Sequence, residues 1–342
     1  MHSSRFECAQ RKKMAKLITK SFSVFILFLI FNPISIYRGG EGVQVVPKQD
    51  IIEADSITTC LNRVDIPEAD LHWVYAPTSA SELHTEVDYF FLAGQLIKSG
   101  AVNAANCPAG GMGAKEGYAN ACGMAAARPL VIQLQNTFDG SILQAWRDVG
   151  VPPILLKQMI KYESQFFPAQ WGLVHYGLGH MTYWGARTAL LWNRSLYNEV
   201  CTYGGNNCDP LYIDGLTKTL IGLMNASCPT CSMLIDIPKA QTSVHYLAET
   251  LLAYCNQTSQ IVYNATKMHS SYTVGYATIW KLTMMNYNVG PQCVFDAVSN
   301  TYTETKGSMK WANIENNVTD EFCSRGVLYA NQITENFYDI IP

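Results

Sequence analysis

Two adjacent prolines, Pro152-Pro153, stand immediately before the ten residues from Ile154 to Glu163, and this junction constrains the fold more than any other stretch. Proline is tolerated in the first turn of a helix, where its missing N–H has no partner to lose, and it fixes φ there. A helix therefore starts at this point. Leu155, Leu156, Met159 and Ile160 recur at three- and four-residue spacing and form one apolar stripe. Glu163 lies on the same stripe, four residues beyond Met159 and three beyond Ile160. Burying an ionised carboxylate is costly, so such a group keeps its proton or finds a partner. Two roles fit: a glutamate taking structural hydrogen bonds at a helix end, and a carboxylic acid kept protonated so that it can donate.

The remaining periodic segments also read as helices. His84 to Ser99 carries Val87, Phe91 and Leu92 to one side and stops at Gly100. Val244, Leu247, Ala248, Leu251, Leu252 and Cys255 make a second line, and Ala277, Trp280, Met284 and Asn288 a third. No segment alternates apolar and polar residues long enough for a confident strand, so the fold class is mainly α. Gly110-Gly111-Met112-Gly113, between Cys107 and Cys122, lacks the preceding strand and the Gly-Lys-Ser/Thr ending of a phosphate loop. A surface loop closed by a disulfide is expected there.

The N-terminus points to export. Arg11, Lys12, Lys13, Lys16 and Lys20 precede an apolar run from Ser21 to Tyr37, and basic residues stay on the cytoplasmic side of such a segment. No small-x-small cleavage pattern follows Pro33, so residues 21–37 are expected to be an uncleaved signal anchor; a cleaved signal peptide, giving a secreted protein, is the alternative. Residues 1–20 are then a cytoplasmic basic segment, 38–58 a linker, 59–149 a helical N-terminal region without an assignable motif, and 150–342 the main domain. Of eleven cysteines only Cys8 precedes the apolar run, and the even remainder suits an oxidising compartment. Cys107–Cys122, Cys201–Cys208 and Cys293–Cys323 are plausible local bridges. Cys228-Pro229-Thr230-Cys231 is read as structural, since no second Cys or His pair sits at a metal-ligand spacing; no metal or cofactor is expected. With 15% charged residues, a net charge of -3 and no basic patch in the exported part, nucleic acid is excluded as a partner.

Three segments bear on chemistry. Glu163-Ser164-Gln165-Phe166-Phe167-Pro168-Ala169 is followed, fourteen residues after Glu163, by Gly177-Leu178-Gly179-His180-Met181-Thr182, and much later by Asn286-Tyr287-Asn288-Val289-Gly290-Pro291. In this order they resemble the Glu-Ser, Gly-Leu-Met-Gln and Ala-Tyr-Asn-Ala-Gly-Pro motifs of the lytic transglycosylases related to goose-type lysozyme. The resemblance spans about residues 150 to 300. It implies a lysozyme-like, two-lobed helical domain that cleaves peptidoglycan glycan strands between N-acetylmuramic acid and N-acetylglucosamine, leaving 1,6-anhydromuramoyl ends. It makes Glu163 the acid/base, and Ser164, Gly177, His180, Tyr287 and Asn288 the substrate-binding residues. His180 replaces the family glutamine, Gly179 its methionine, and Asn286 and Val289 two alanines. A membrane-anchored enzyme of the cell envelope follows as the expectation. A hydrolytic lysozyme on the same fold, and a non-catalytic wall-binding or assembly protein with a degenerate cleft, are the alternatives.

Overall fold

The computed structural model describes residues 72–74, 77–204, 208–305, 307 and 309–335, all within one compact unit, Glu53–Pro342. The expected anchor at 21–37 and its flanks, 1–20 and 38–58, lie outside the described residues. Among the described residues no helix is long and apolar enough to cross a membrane.

The described chain is mainly helical, with isolated β-bridges and no strand. Helix α1 is Phe90–Lys98, α2 Ala121–Thr137, α3 Asp139–Val149 and α4 Pro153–Ser164; then come α5 Tyr183–Trp192, α6 Arg194–Tyr203, α7 Ile213–Met224 and α8 Ile237–Thr266. After a single turn at Ser270–Thr273 follow α9 Tyr276–Val289, α10 Pro291–Thr305, α11 Trp311–Asn316 and α12 Glu321–Glu335. Side-chain oxygens start several of these helices: Asn120, Thr182, Asn193 and Asp236 each accept an N–H from the first turn of α2, α5, α6 and α8. One helix begins later than its periodicity predicts. Residues 84–89 are extended, because Gln135 and Asn136 of α2 take the backbone groups of Thr85 and Val87 into a side-chain ladder.

Helix α8 is the hub, and α3, α5, α7, α9 and α10 all pack on it. At 30 residues it is about 45 Å long at 1.5 Å per residue. Its middle is buried on every side, and Ser243, Thr250, Thr258 and Thr266 satisfy their hydroxyls by bonding back to the preceding turn. Asn286 of α9, buried, donates to Gln257 and Thr258 of α8. An alanine could not make that link.

Helix α4 goes beyond its predicted stripe: every residue from Pro153 to Ile160 is buried, including Lys157 and Gln158. Lys157 donates to Asp139 of α3 at 2.5 Å, to the Leu83 carbonyl at 2.5 Å and to Asn136 at 3.1 Å. Burial pushes the Asp139 carboxyl up to about 6, against the pull of Lys157. Four disulfides close the described chain locally: Cys107–Cys122, Cys201–Cys208 and Cys293–Cys323 pair as their spacing suggests, and Cys228 bonds Cys231 across a turn.

Removing one partner of a buried ion pair strands the other, which typically costs about 3–5 kcal/mol. Lys157→Met should therefore lose on the order of 3 kcal/mol in chemical denaturation. Lys157→Met with Asp139→Asn should recover a substantial part of that loss, because no lone carboxylate then remains.

Candidate active site

Glu163 sits in the last turn of α4, and the chain turns away from it abruptly. Gln165 and Phe166 both adopt left-handed backbone conformations, with φ of 48° and 64°. For a phenylalanine this is uncommon and must be held by its surroundings. Phe166 is fully buried, stacked 6.3 Å from Phe138 and tilted against Tyr89 at 5.4 Å. The Gln165 side chain accepts the N–H of Phe91 at the start of α1, 2.8 Å away. The helix thus stops at Ser164, one residue past Glu163, leaving the Glu163 side chain at the floor of a cleft instead of under another turn.

The cleft is a cavity of ≈ 310 Å³. Phe91, Tyr118, Tyr162 and Trp171 form its aromatic walls, and Lys115 and Glu116 lie on the side made by the disulfide-closed loop. Phe91 holds this frame by edge contacts to Trp171 at 4.8 Å and Phe167 at 5.8 Å, and packs tilted on Tyr118 at 5.4 Å. At the floor only 16% of the Glu163 side chain is exposed. Tyr329 of α12, itself buried, donates its hydroxyl to Glu163 Oε1 at 2.5 Å. Burial raises the Glu163 pKa to about 7, while the Tyr329 hydrogen bond favours the ionised form and holds the rise back. Near neutrality the carboxyl is therefore divided between its two protonation states.

His180 faces Glu163, with Nδ1 3.8 Å from Oε2. This is not an ion pair at neutral pH, because burial, helped by His175 nearby, lowers the imidazole pKa to about 4. His180 is neutral there, and its buried Nε2 has no hydrogen-bond partner among the described residues. Its position follows from a tight loop. Tyr176 and Met181 bridge each other through both backbone groups, and Gly177 and His180 take φ of 68° and 48° between them.

The other residues of the three motifs divide into two groups. Tyr287 reaches the same region from α9 and donates to the Gly179 carbonyl at 2.6 Å, tying the loop of His180 to the α8–α9 layer. Its hydroxyl goes to that carbonyl; the one bonded to Glu163 belongs to Tyr329, far outside the motif-bearing region. A Cβ on Gly179 would lie 2.5 Å from Leu247 and 3.1 Å from the Tyr287 hydroxyl, so a larger residue here would have to displace one or both of those side chains. Ser164, Gly177 and Asn288 do not line the cavity. Ser164 is fully buried and bonds back to the Ile160 carbonyl. Gly177 packs against the end of α7, where a Cβ would come within 2.3 Å of the Met224 carbonyl. Asn288 is exposed near the end of α9. Of the aromatic residues near the second motif, Trp171 lines the cleft, whereas Tyr183 bonds Asp214 and Trp184 is 71% exposed on α5.

Among the described residues no group of His, Cys, Asp and Glu could hold a metal ion. No family model, no curated protein and no solved structure matches the chain.

The raised pKa of Glu163 has a consequence for stability. The folded state holds the proton up to about 7, while an unfolded glutamate releases it near 4.5, so folding is penalised as pH rises through that window. Glu163→Gln should remove this penalty. The variant should gain up to about 3 kcal/mol over the parent between pH 4.5 and pH 8 in paired denaturation curves, and a pH-independent difference would refute the buried-acid assignment.

Proposed function

We propose that this chain is a peptidoglycan-cleaving enzyme of the lytic transglycosylase type, acting on the bond between N-acetylmuramic acid and N-acetylglucosamine. The observation that carries the reading is Glu163, a carboxyl keeping its proton into the neutral range on the floor of an aromatic-walled cleft. Aromatic faces suit the apolar faces of sugar rings, and a protonated carboxyl suits a glycosidic leaving oxygen. The three ordered motifs resembling that family add to this. The fold proposed is a lysozyme-like one with two lobes flanking the cleft. The basic N-terminal segment and the disulfides fit a location outside the cytoplasmic membrane, where peptidoglycan lies, with residues 21–37 as the anchor.

In this mechanism Glu163 transfers its proton to the glycosidic oxygen as the bond from the muramoyl C1 to that oxygen breaks, and the N-acetylglucosamine end leaves as an alcohol. The carboxylate then takes the proton of the muramoyl C6 hydroxyl, whose oxygen forms a new bond to C1 and closes the 1,6-anhydro ring. One residue serves first as acid and then as base, unlike the two-carboxylate scheme of most glycosidases. Tyr329 is a positioning residue: it orients the carboxyl and stabilises the ion formed between the two steps. The free Nε2 of neutral His180 is available to a sugar hydroxyl or acetamide, the role the family gives to glutamine. Tyr287 holds the His180 loop in place. Ser164 and Gly177 support the site through packing and backbone geometry.

Digestion of purified sacculi should release anhydromuramoyl fragments, read by mass spectrometry. Reducing ends in their place would move the assignment to a hydrolytic lysozyme, and binding without release to a wall-binding protein. Glu163→Gln should lower turnover by about 10²–10⁴-fold, the usual contribution of an acid/base group.

Activity of the parent should fall as pH rises through about 7, because the proton-donating form is lost. Tyr329→Phe removes a donor to the carboxylate, so the Glu163 pKa rises and that alkaline limb should move to higher pH. An unmoved limb would mean that another group governs it.

A further inference from the structure

The wall of the cleft opposite α4 is the loop closed by Cys107–Cys122, and it is rigidly framed. Asn120 donates to the Pro108 and Met112 carbonyls, Gly113 to the Tyr118 carbonyl, Ala119 to the Phe90 carbonyl at the head of α1, and Gln95 of α1 to the Gly117 carbonyl. Gly117 has φ 82°, and a Cβ there would lie 2.8 Å from Trp171, so loop and cleft aromatic interlock. This frame presents Lys115 and Glu116, adjacent, exposed and of opposite charge, to the cavity. Lys115 lies 3.7 Å over the Tyr118 ring, and neither residue has an ionic partner among the described residues. The rest of the lining is neutral apart from the partly protonated Glu163.

We propose that Lys115 and Glu116 are specificity-determining residues that recognise a zwitterionic substituent on the sugar chain, namely the peptide stem of peptidoglycan. This rests on the reading of the cleft as a peptidoglycan site. The glycan backbone offers uncharged hydroxyls and acetamides, and only the stem, joined through the muramoyl lactyl group, brings carboxylates and ammonium groups together. Two charges of opposite sign on a fixed loop, with no ionic partner among the described residues, meet such a ligand without having to break an ion pair of their own. They also tell it from a neutral polymer of the same sugars.

The test measures binding by Glu163→Gln protein, in which substrate is not consumed, to two soluble glycan oligomers: one with its peptide stems and one stripped by an amidase. The stemmed oligomer should bind about tenfold tighter, ~1.4 kcal/mol. The preference should shrink at high salt, since both charges are exposed. Lys115→Met and Glu116→Gln introduced together should bring the ratio close to one. Equal binding of the two oligomers, or a preference that survives both substitutions, overturns the proposal. Failure of the catalytic reading shows separately, as sacculi that the parent protein leaves intact while the binding preference persists.

Discussion

The burial of the first eight residues of α4, Pro153 to Ile160, is the constraint on which the rest of the structure depends. A helix with water on one side would expose its last turn, and a glutamate there would titrate like any surface carboxylate. Here α4 is enclosed from Pro153 to Ile160, and even Lys157 within that stretch is satisfied internally, by Asp139, Asn136 and a backbone carbonyl. The surrounding elements must therefore supply polar partners as well as apolar cover. At its last turn, where the chain turns away through two left-handed residues, the helix brings Tyr162 and Glu163 to a cavity.

That geometry converts a packing arrangement into a chemical one. Desolvation keeps the proton on Glu163, and the hydrogen bond from Tyr329 prevents the carboxyl from becoming too weak an acid to give it up. Its neighbour His180 stays neutral for the same reason, burial, and so adds hydrogen-bonding capacity without adding charge. The departures from the resembled motifs make physical sense in this setting. Gly179 permits the Tyr287 contact, and Asn286 is a buried cross-link to α8.

Much of this was legible in the residue order, and the illegible part has one cause. Pro152-Pro153, the apolar spacing after it and the short-range cysteine pairs are local signals, and each produced the element it implied. Tyr329 gave no signal, since it lies 166 residues from Glu163 and reads as an ordinary core aromatic. Lys157 lies off the apolar stripe, and only the approach of α3, which brings Asp139, explains its burial. Ser164 and Gly177 matched the motifs by position, yet their roles are a bond back to the helix and a close backbone approach.

The sequence by itself determined the helical class, the start of α4, the inward face of Glu163 and three of the disulfide pairings, because spacing and backbone stereochemistry act over a few residues. Tertiary structure alone decided which tyrosine meets the carboxyl, that His180 is neutral, and that a disulfide-closed loop with two charges of opposite sign forms the facing wall. Those outcomes depend on desolvation and on contacts between segments far apart in the chain, which no local pattern encodes.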